Sequence, residues 1–196
     1  MSVKNSCTTS DYLEWDVAVN LIHKLYRDGN YRMSLLIGCG IFFGLRISDL
    51  LTLKWDMLLG GESFEIIEKK TKKRREIRIN THFQKHIKDC YKSLNIQDRA
   101  EFCFISRQNR VYSIQRINVI FKDIKYKYNL RNIKNFSTHS CRKTFGRHIF
   151  ERAEANGEMA LVMLSELFNH SNTSVTKRYL GIRREQILGC YDLLDF

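Results

Sequence analysis

The sequence predicts a mainly α-helical protein with one small antiparallel β-sheet, an α+β chain folded as a single domain over residues 1–196. Three observations carry this. Apolar residues recur every three or four positions through much of the chain, as in Leu13, Val17, Leu21 and Leu25, the spacing that lines one face of a helix. Residues 62–80 alternate instead, with Phe64, Ile66, Ile77 and Ile79 interleaved with polar residues on both arms of a hairpin. No low-complexity segment, repeat or linker interrupts the chain, and 196 residues suffice for one sizeable core.

Ser10 suits the N-cap of a first helix from Asp11 to about Arg27, which Gly29 ends. A second helix from about Asn30 carries the most apolar run, Met33 to Leu45, and stops near Gly44. That run has thirteen residues, three of them glycine; it is too short to span a bilayer and predicts a buried helix. The loop Gly44-Leu45-Arg46 feeds a helix from Ser48, with Leu50, Leu51 and Leu53 turned inward. Arg46, between Leu45 and Ile47, is held near the core, where a guanidinium needs an anionic partner. The hairpin turns through Lys69-Lys70-Thr71-Lys72-Lys73-Arg74-Arg75, six of its seven residues basic. Such a tip repels itself unless it is solvated or lies against phosphates.

Thr81 to Asn95 predicts a helix, followed by a short strand at Phe102–Ile105. His82, His86 and Cys90 fall at i, i+4 and i+8 of that helix. Spread over two turns they converge poorly on one ion and no fourth ligand is evident, so no metal is assigned. Ser113 opens a helix to about Tyr128, with Ile114, Ile117, Ile120, Phe121 and Ile124 inside and Arg116, Lys122 and Lys125 outside. A helix from Ser137 or Thr138 to about Ala155 is broken by Asn156-Gly157, and Glu158 to Phe168 forms the next, with Leu161, Leu164 and Leu167 apolar. The turn Asn169-His170-Ser171 then precedes a short helix containing Tyr179, and Arg183 to Leu194 closes the chain as an amphipathic helix.

The net charge of +12 is unevenly placed: residues 1–60 carry six basic and six acidic side chains, and residues 61–196 carry 27 against 15. A basic remainder after a neutral start favours a polyanionic partner, most simply nucleic acid. Cysteines at 7, 39, 90, 103, 141 and 190 form no C-x-x-C pair, which excludes a zinc ribbon and a secreted disulfide framework. Met1 to Ser10 is polar, without a signal peptide, so a reduced, cytoplasmic protein is expected.

The chemistry concentrates between Thr138 and Tyr179. His139 and Arg142 are three apart and share a helix face, where imidazole and guanidinium suit an anionic oxygen such as a phosphate. His170 adds a second proton-handling ring and Tyr179 a phenol able to attack phosphorus.

Four segments in this order resemble the motifs of the tyrosine recombinases, the phage-integrase family. Gly44-Leu45-Arg46-Ile47-Ser48-Asp49-Leu50-Leu51 is similar to the first-arginine motif. The basic hairpin is similar to the segment that carries the family's lysine, with Lys70 before Thr71 the best match and Lys72 or Lys69 next. His139-Ser140-Cys141-Arg142 resembles the His-x-x-Arg motif, and Asn169-His170-Ser171, followed nine residues after His170 by Tyr179, resembles the last histidine and the nucleophile. Asn169 stands where the family commonly has glycine and Asp49 where it often has glutamate. Only 45 residues precede Arg46, where members usually carry a separate core-binding domain of about a hundred residues, so a catalytic domain without that N-terminal domain is expected.

The resemblance implies the tyrosine-recombinase catalytic-domain fold and a site-specific recombinase or integrase that works through a 3′-phosphotyrosine, without metal or cofactor. Arg46 and Arg142 would hold the phosphate oxygens, Lys70 would protonate the leaving 5′-oxygen, His139 would take the tyrosine proton, His170 would bond the phosphate, and Tyr179 would attack. Asp49 would orient Arg46 or its helix. Lys69, Lys72, Lys73, Arg74, Arg75, Lys177 and Arg178 would contact DNA. The implied partners are double-stranded DNA, further copies of the chain (a tetramer in the synapse, the helix 183–194 docking on a neighbour) and an accessory DNA-binding protein, with no membrane and a bacterial, phage or mobile-element origin. A type IB topoisomerase-like nicking-closing enzyme and a non-catalytic DNA-binding regulator are the alternatives.

Overall fold

The computed structural model describes residues 10–193. They divide into two compact units, one up to Phe145 and one from Gly146 onward, with the boundary inside a single helix.

The first unit holds α1 (Trp15–Arg27), α2 (Tyr31–Phe43), α3 (Ile47–Leu50), α4 (Trp55–Leu59), β1 (Ser63–Ile67), β2 (Arg74–Arg78), α5 (Thr81–Ser93), α6 (Ile114–Lys127) and the opening turns of α7 (Thr138–Arg152). α2 is its centre. Every residue from Met33 to Ile41 is buried, and α1 and α5 pack against it, so the apolar run predicted to be internal is internal. β1 and β2 pair antiparallel from Ser63↔Arg78 to Ile67↔Arg74. Phe64, Ile66, Ile77 and Ile79 face the core, as their alternation predicts.

Several boundaries differ from expectation. α1 starts at Trp15, not Asp11, because Ser10 and Asp11 have other partners: Ser10 Oγ bonds Ser137 Oγ at 2.6 Å, and the Asp11 carboxylate accepts from the N–H groups of Lys134 and Asn135. With Leu13 outside the helix, the buried stripe becomes Ala18, Leu21, Ile22 and Leu25, and Val17 is 44% exposed. α4, which the pattern did not predict, buries Trp55 completely. The expected strand at Phe102–Ile105 is reduced to two isolated bridges, Lys54↔Phe102 and Ile105↔Val111. Ser113 caps α6 through Arg116 N as predicted, but Ile114, in the first turn, stays on the surface.

The second unit contains the rest of α7, a 3₁₀ turn (Glu154–Asn156), α8 (Gly157–Phe168), α9 (Thr173–Leu180), α10 (Ile182–Gly189) and a final 3₁₀ turn (Tyr191–Leu193). α9 packs against both α8 and α10. Ala160, Leu161, Leu164, Phe168, Leu180 and Ile182 are buried, and Leu167 is half-buried. The predicted closing helix ends early at Gly189, and Leu194 lies outside the described residues. Among the described residues no helix is long and apolar enough to cross a membrane.

Candidate active site

Arg46 sits where α2 hands over to α3. Gly44 ends α2 in the left-handed region (φ +58°), and Arg46 leaves it extended as the N-cap residue of α3. Arg142 is buried on α7 and donates through Nη1 to the carbonyl of Gly44, two residues before Arg46. α7 reaches this loop because α2 has no side chain in the way. A Cβ on Gly40 would lie 2.6 Å from Cys141 Cβ, and one on Gly44 would run into the Phe145 ring. Gly40 and Gly44 are one turn apart on α2, as are Cys141 and Phe145 on α7, so two small residues set the approach of the helix that carries Arg142.

His139 lies one turn before Arg142. By area much of the residue faces solvent, yet its ring lies among cations: desolvation, then the charges of Arg142, Lys143 and Arg46, hold its imidazole below the ordinary range. A neutral imidazole at physiological pH can accept a proton. Lys143 is itself buried and donates to Ser10 O at 2.7 Å; burial lowers its ammonium, opposed by Asp11.

Two carboxylates balance this charge. Glu68 Oε2 accepts from Arg46 Nη1 at 3.0 Å and from Thr71 Oγ1 at 2.7 Å, while Oε1 pairs with Arg75 Nη1 at 3.5 Å. Burial pushes the Glu68 carboxyl up, but the Thr71 hydrogen bond and the charges of Arg46, Arg75 and Arg142 outweigh it and hold the group below its ordinary value. Asp49, 1% exposed, accepts from the main-chain N–H of Lys69 at 2.9 Å through Oδ1. It therefore holds the hairpin.

At the hairpin tip Lys69, Lys70, Lys72 and Lys73 are exposed, and Arg74 pairs on the surface with Glu65. Arg75 differs from its expected part in DNA contact. It turns inward, donates to Phe43 O at 2.9 Å and joins Glu68, so it ties the hairpin to the end of α2. A cleft of about 700 Å³ runs from Arg46, Ser48 and His139 along Lys122, Lys125 and Lys134.

The second unit carries the other two expected residues. α8 ends with Asn169 in the left-handed region (φ +52°) and His170 N bonded back to Ser165 O. Glycine is the usual residue at such a position and asparagine the next most tolerant, which accounts for Asn169. Asn172 caps α9 through Val175 N. His170 Nδ1 pairs with the buried Thr176 Oγ1 at 3.0 Å, and its ring stands edge-on to Tyr179 at 5.3 Å between centroids, with Phe168 against both. Tyr179 is half-buried; Lys177 is paired with Glu158 at 2.8 Å, and Arg178 is exposed.

The family model described as "Phage integrase family" matches residues 12–186, which includes every residue discussed above as a functional candidate. The chain belongs to the phage integrase family. Among curated proteins it is 31% identical over 162 residues to the probable integrase/recombinase YoeC of Bacillus subtilis (strain 168), a match that covers 83% of this chain and 84% of that one. Its fold is that of the XerA recombinase, with a TM-score of 0.70 at 18% identity over 97% of this chain and 68% of that one. It is equally that of the Tn1549 transposon integrase, solved with transposon right-end DNA, with a TM-score of 0.70 at 16% identity over 95% and 68%. The protein is thus an enzyme of the tyrosine recombinase class, which breaks and rejoins DNA strands, and its fold is the predicted one.

In this family member, Glu68 and the inward role of Arg75 escaped the sequence reading, although strand parity marks both. Residues 64, 66 and 68 share one face of β1 and its continuation, and residues 75, 77 and 79 share one face of β2, so both charges extend the inward rows. The basic run that follows Glu68 and includes Arg75 hid them. Lys143 carries no comparable signal: its partner is a main-chain carbonyl 133 residues away.

Proposed function

We propose that this protein is a site-specific recombinase or integrase that cuts and rejoins double-stranded DNA through a 3′-phosphotyrosine. Tyr179 attacks the scissile phosphorus and the bond to the 5′-oxygen breaks, which leaves a 5′-hydroxyl and the tyrosyl ester. A second DNA 5′-hydroxyl then attacks that phosphorus and expels Tyr179, so no external energy source is consumed. A phenol of pKa about 10 must lose its proton to attack, and His139, kept neutral, is the acceptor. Arg46 and Arg142 hold the two non-bridging oxygens and stabilise the charge of the transition state. Lys70 protonates the leaving oxygen. His170, whose ring is fixed at Nδ1 by Thr176, bonds a phosphate oxygen. Since side chains carry the positive charge, neither metal nor cofactor is required.

The reading is supported above all by the hydrogen bond from Arg142 to Gly44 O, two residues from Arg46, in a chain of this family. Lys69, Lys72, Lys73 and Arg74 at the tip, Lys177 and Arg178 on α9, and the cleft lysines 122, 125 and 134 supply phosphate contacts. Asp49 serves by fixing the hairpin main chain. The chain acts as one catalytic domain in the cytoplasm of a bacterium or its mobile elements. It assembles as a tetramer on two DNA sites, with the segment from Arg183 on a neighbour and an accessory DNA-binding protein assisting.

A nicked suicide duplex followed by denaturing electrophoresis tests this. The expected result is a DNA-linked protein band that persists in chelator and vanishes in Tyr179→Phe, while DNA binding in a mobility shift is retained. No band in either protein would make it a DNA-binding regulator, and nicking-closing by a monomer on a single site would make it topoisomerase-like.

A further inference from the structure

The structure assigns Glu68 as a positioning residue that fixes Lys70 against the Arg46 turn. Lys70 lies between two anchored residues, Lys69 and Thr71. On one side, the main-chain N–H of Lys69 bonds Asp49 Oδ1, three residues along α3 from Arg46. On the other, Thr71 Oγ1 bonds the same Glu68 oxygen that takes Arg46 Nη1. Glu68 also closes the turn through its backbone, its N–H to Lys73 O and its carbonyl to Lys72 N. Lys72 and Lys73 are held by these main-chain bonds on the β2 side of the turn, whereas Lys70 stands next to the Thr71 hydroxyl that Glu68 takes together with Arg46.

A phosphate-binding arginine and a proton donor on a surface hairpin must keep a fixed separation, since small misplacements of a donor are costly in rate. Here one buried carboxylate, 3% exposed, spans both. Its charge has a second effect. It balances Arg46 and Arg75, so the cluster tolerates several guanidinium groups at close quarters without losing its shape.

The inference rests on Lys70 as the general acid, and the test separates the two. A substrate whose bridging 5′-oxygen is replaced by sulfur leaves as a thiolate and needs no proton. Lys70→Ala is expected to lose about a hundredfold or more in single-turnover cleavage of the oxygen substrate and to recover to within about tenfold of the unaltered protein on sulfur. Thr71→Val, which removes the side-chain link from Glu68 to the turn and a longer bond from Lys73 N, and Glu68→Ala should show the same leaving-group-dependent loss, about tenfold and about thirtyfold. Glu68→Gln, which keeps an acceptor, should lose less than Glu68→Ala. Adding Lys70→Ala to Thr71→Val should cost no more than Lys70→Ala alone.

If Lys70→Ala is rescued by sulfur while Thr71→Val and Glu68→Ala are equally slow on both substrates, the positioning role is overturned and the general acid stands. If Lys70→Ala is not rescued, the general-acid reading and this inference fall together. Thr71→Val keeps the result decisive even if Glu68→Ala fails to fold, because Thr71 is only half-buried at the turn.

Discussion

In the first unit the functional side chains are fixed by partners distant in sequence. Arg142 reaches Gly44 across 98 residues, Arg46 reaches Glu68 across 22, and Asp49 reaches Lys69 across 20. In the second unit the bonds nearest His170 are local, His170 to Thr176 across six residues and Asn172 to Val175 across three. The longer ties, Arg147 to Glu185 across 38 and Lys177 to Glu158 across 19, are ion pairs at its surface. The cations that would grip a phosphate thus depend on partners far along the chain, whereas the bond that fixes the His170 ring is made within one helix–turn–helix. Charge that is expensive to gather is held here by tertiary structure.

The largest effect should come from weakening the tertiary side of this contrast at its chemical centre. Arg142→Lys keeps a cation but not the planar fork, and is expected to slow single-turnover cleavage by a hundredfold or more, on the order of 3–4 kcal/mol of barrier. DNA affinity at fixed salt should change little. A loss of affinity without a loss of rate would mean that Arg142 acts only as a surface charge.

Next comes a pair of glycines, one in each unit, both in the left-handed region. Gly44→Ala brings a methyl group against Phe145 as well as backbone strain, and should cost about 2–5 kcal/mol in chemical denaturation. Gly181 has φ +82°, but nothing lies within 4 Å of where a methyl would sit, so Gly181→Ala should cost only the strain, about 1–2 kcal/mol. Equal costs would show that the close approach of α2 and α7 is not the limiting contact.

The smallest effect is one of pH. The Glu68 carboxyl titrates below its ordinary value of 4.5, so the stability it contributes is whole above that value and is lost as pH falls through the lower folded value. Urea titrations should therefore show the stability difference between the unaltered protein and Glu68→Gln narrowing below about pH 4.5. A difference independent of pH would mean that the carboxylate charge is not what holds the hairpin.

This contrast also decides what the sequence could reveal. The turn around Asn169 and His170, the short helix after it and the buried run of α2 are local patterns, and each is legible because a few adjacent residues determine it. Arg46 is expected near the core for want of polar neighbours, and its anionic partner proves to be Glu68. Ser10 looks like a helix cap because nothing nearby shows that Ser137, 127 residues on, takes its hydroxyl. The three glycines of the apolar run count against a membrane span, while the use of two of them as a seat for α7 depends on which helix arrives there. Arg75 disappears into a run of charge whose members differ only by strand parity.

The bond between Lys69 and Asp49 is made by the peptide group of residue 69, not by its ammonium. Any amino acid except proline offers the same amide, so the letter at that position is at liberty to drift while the acid that receives it is not. Over evolutionary time the charges of the fingertip can change with the knuckle beneath left as it is.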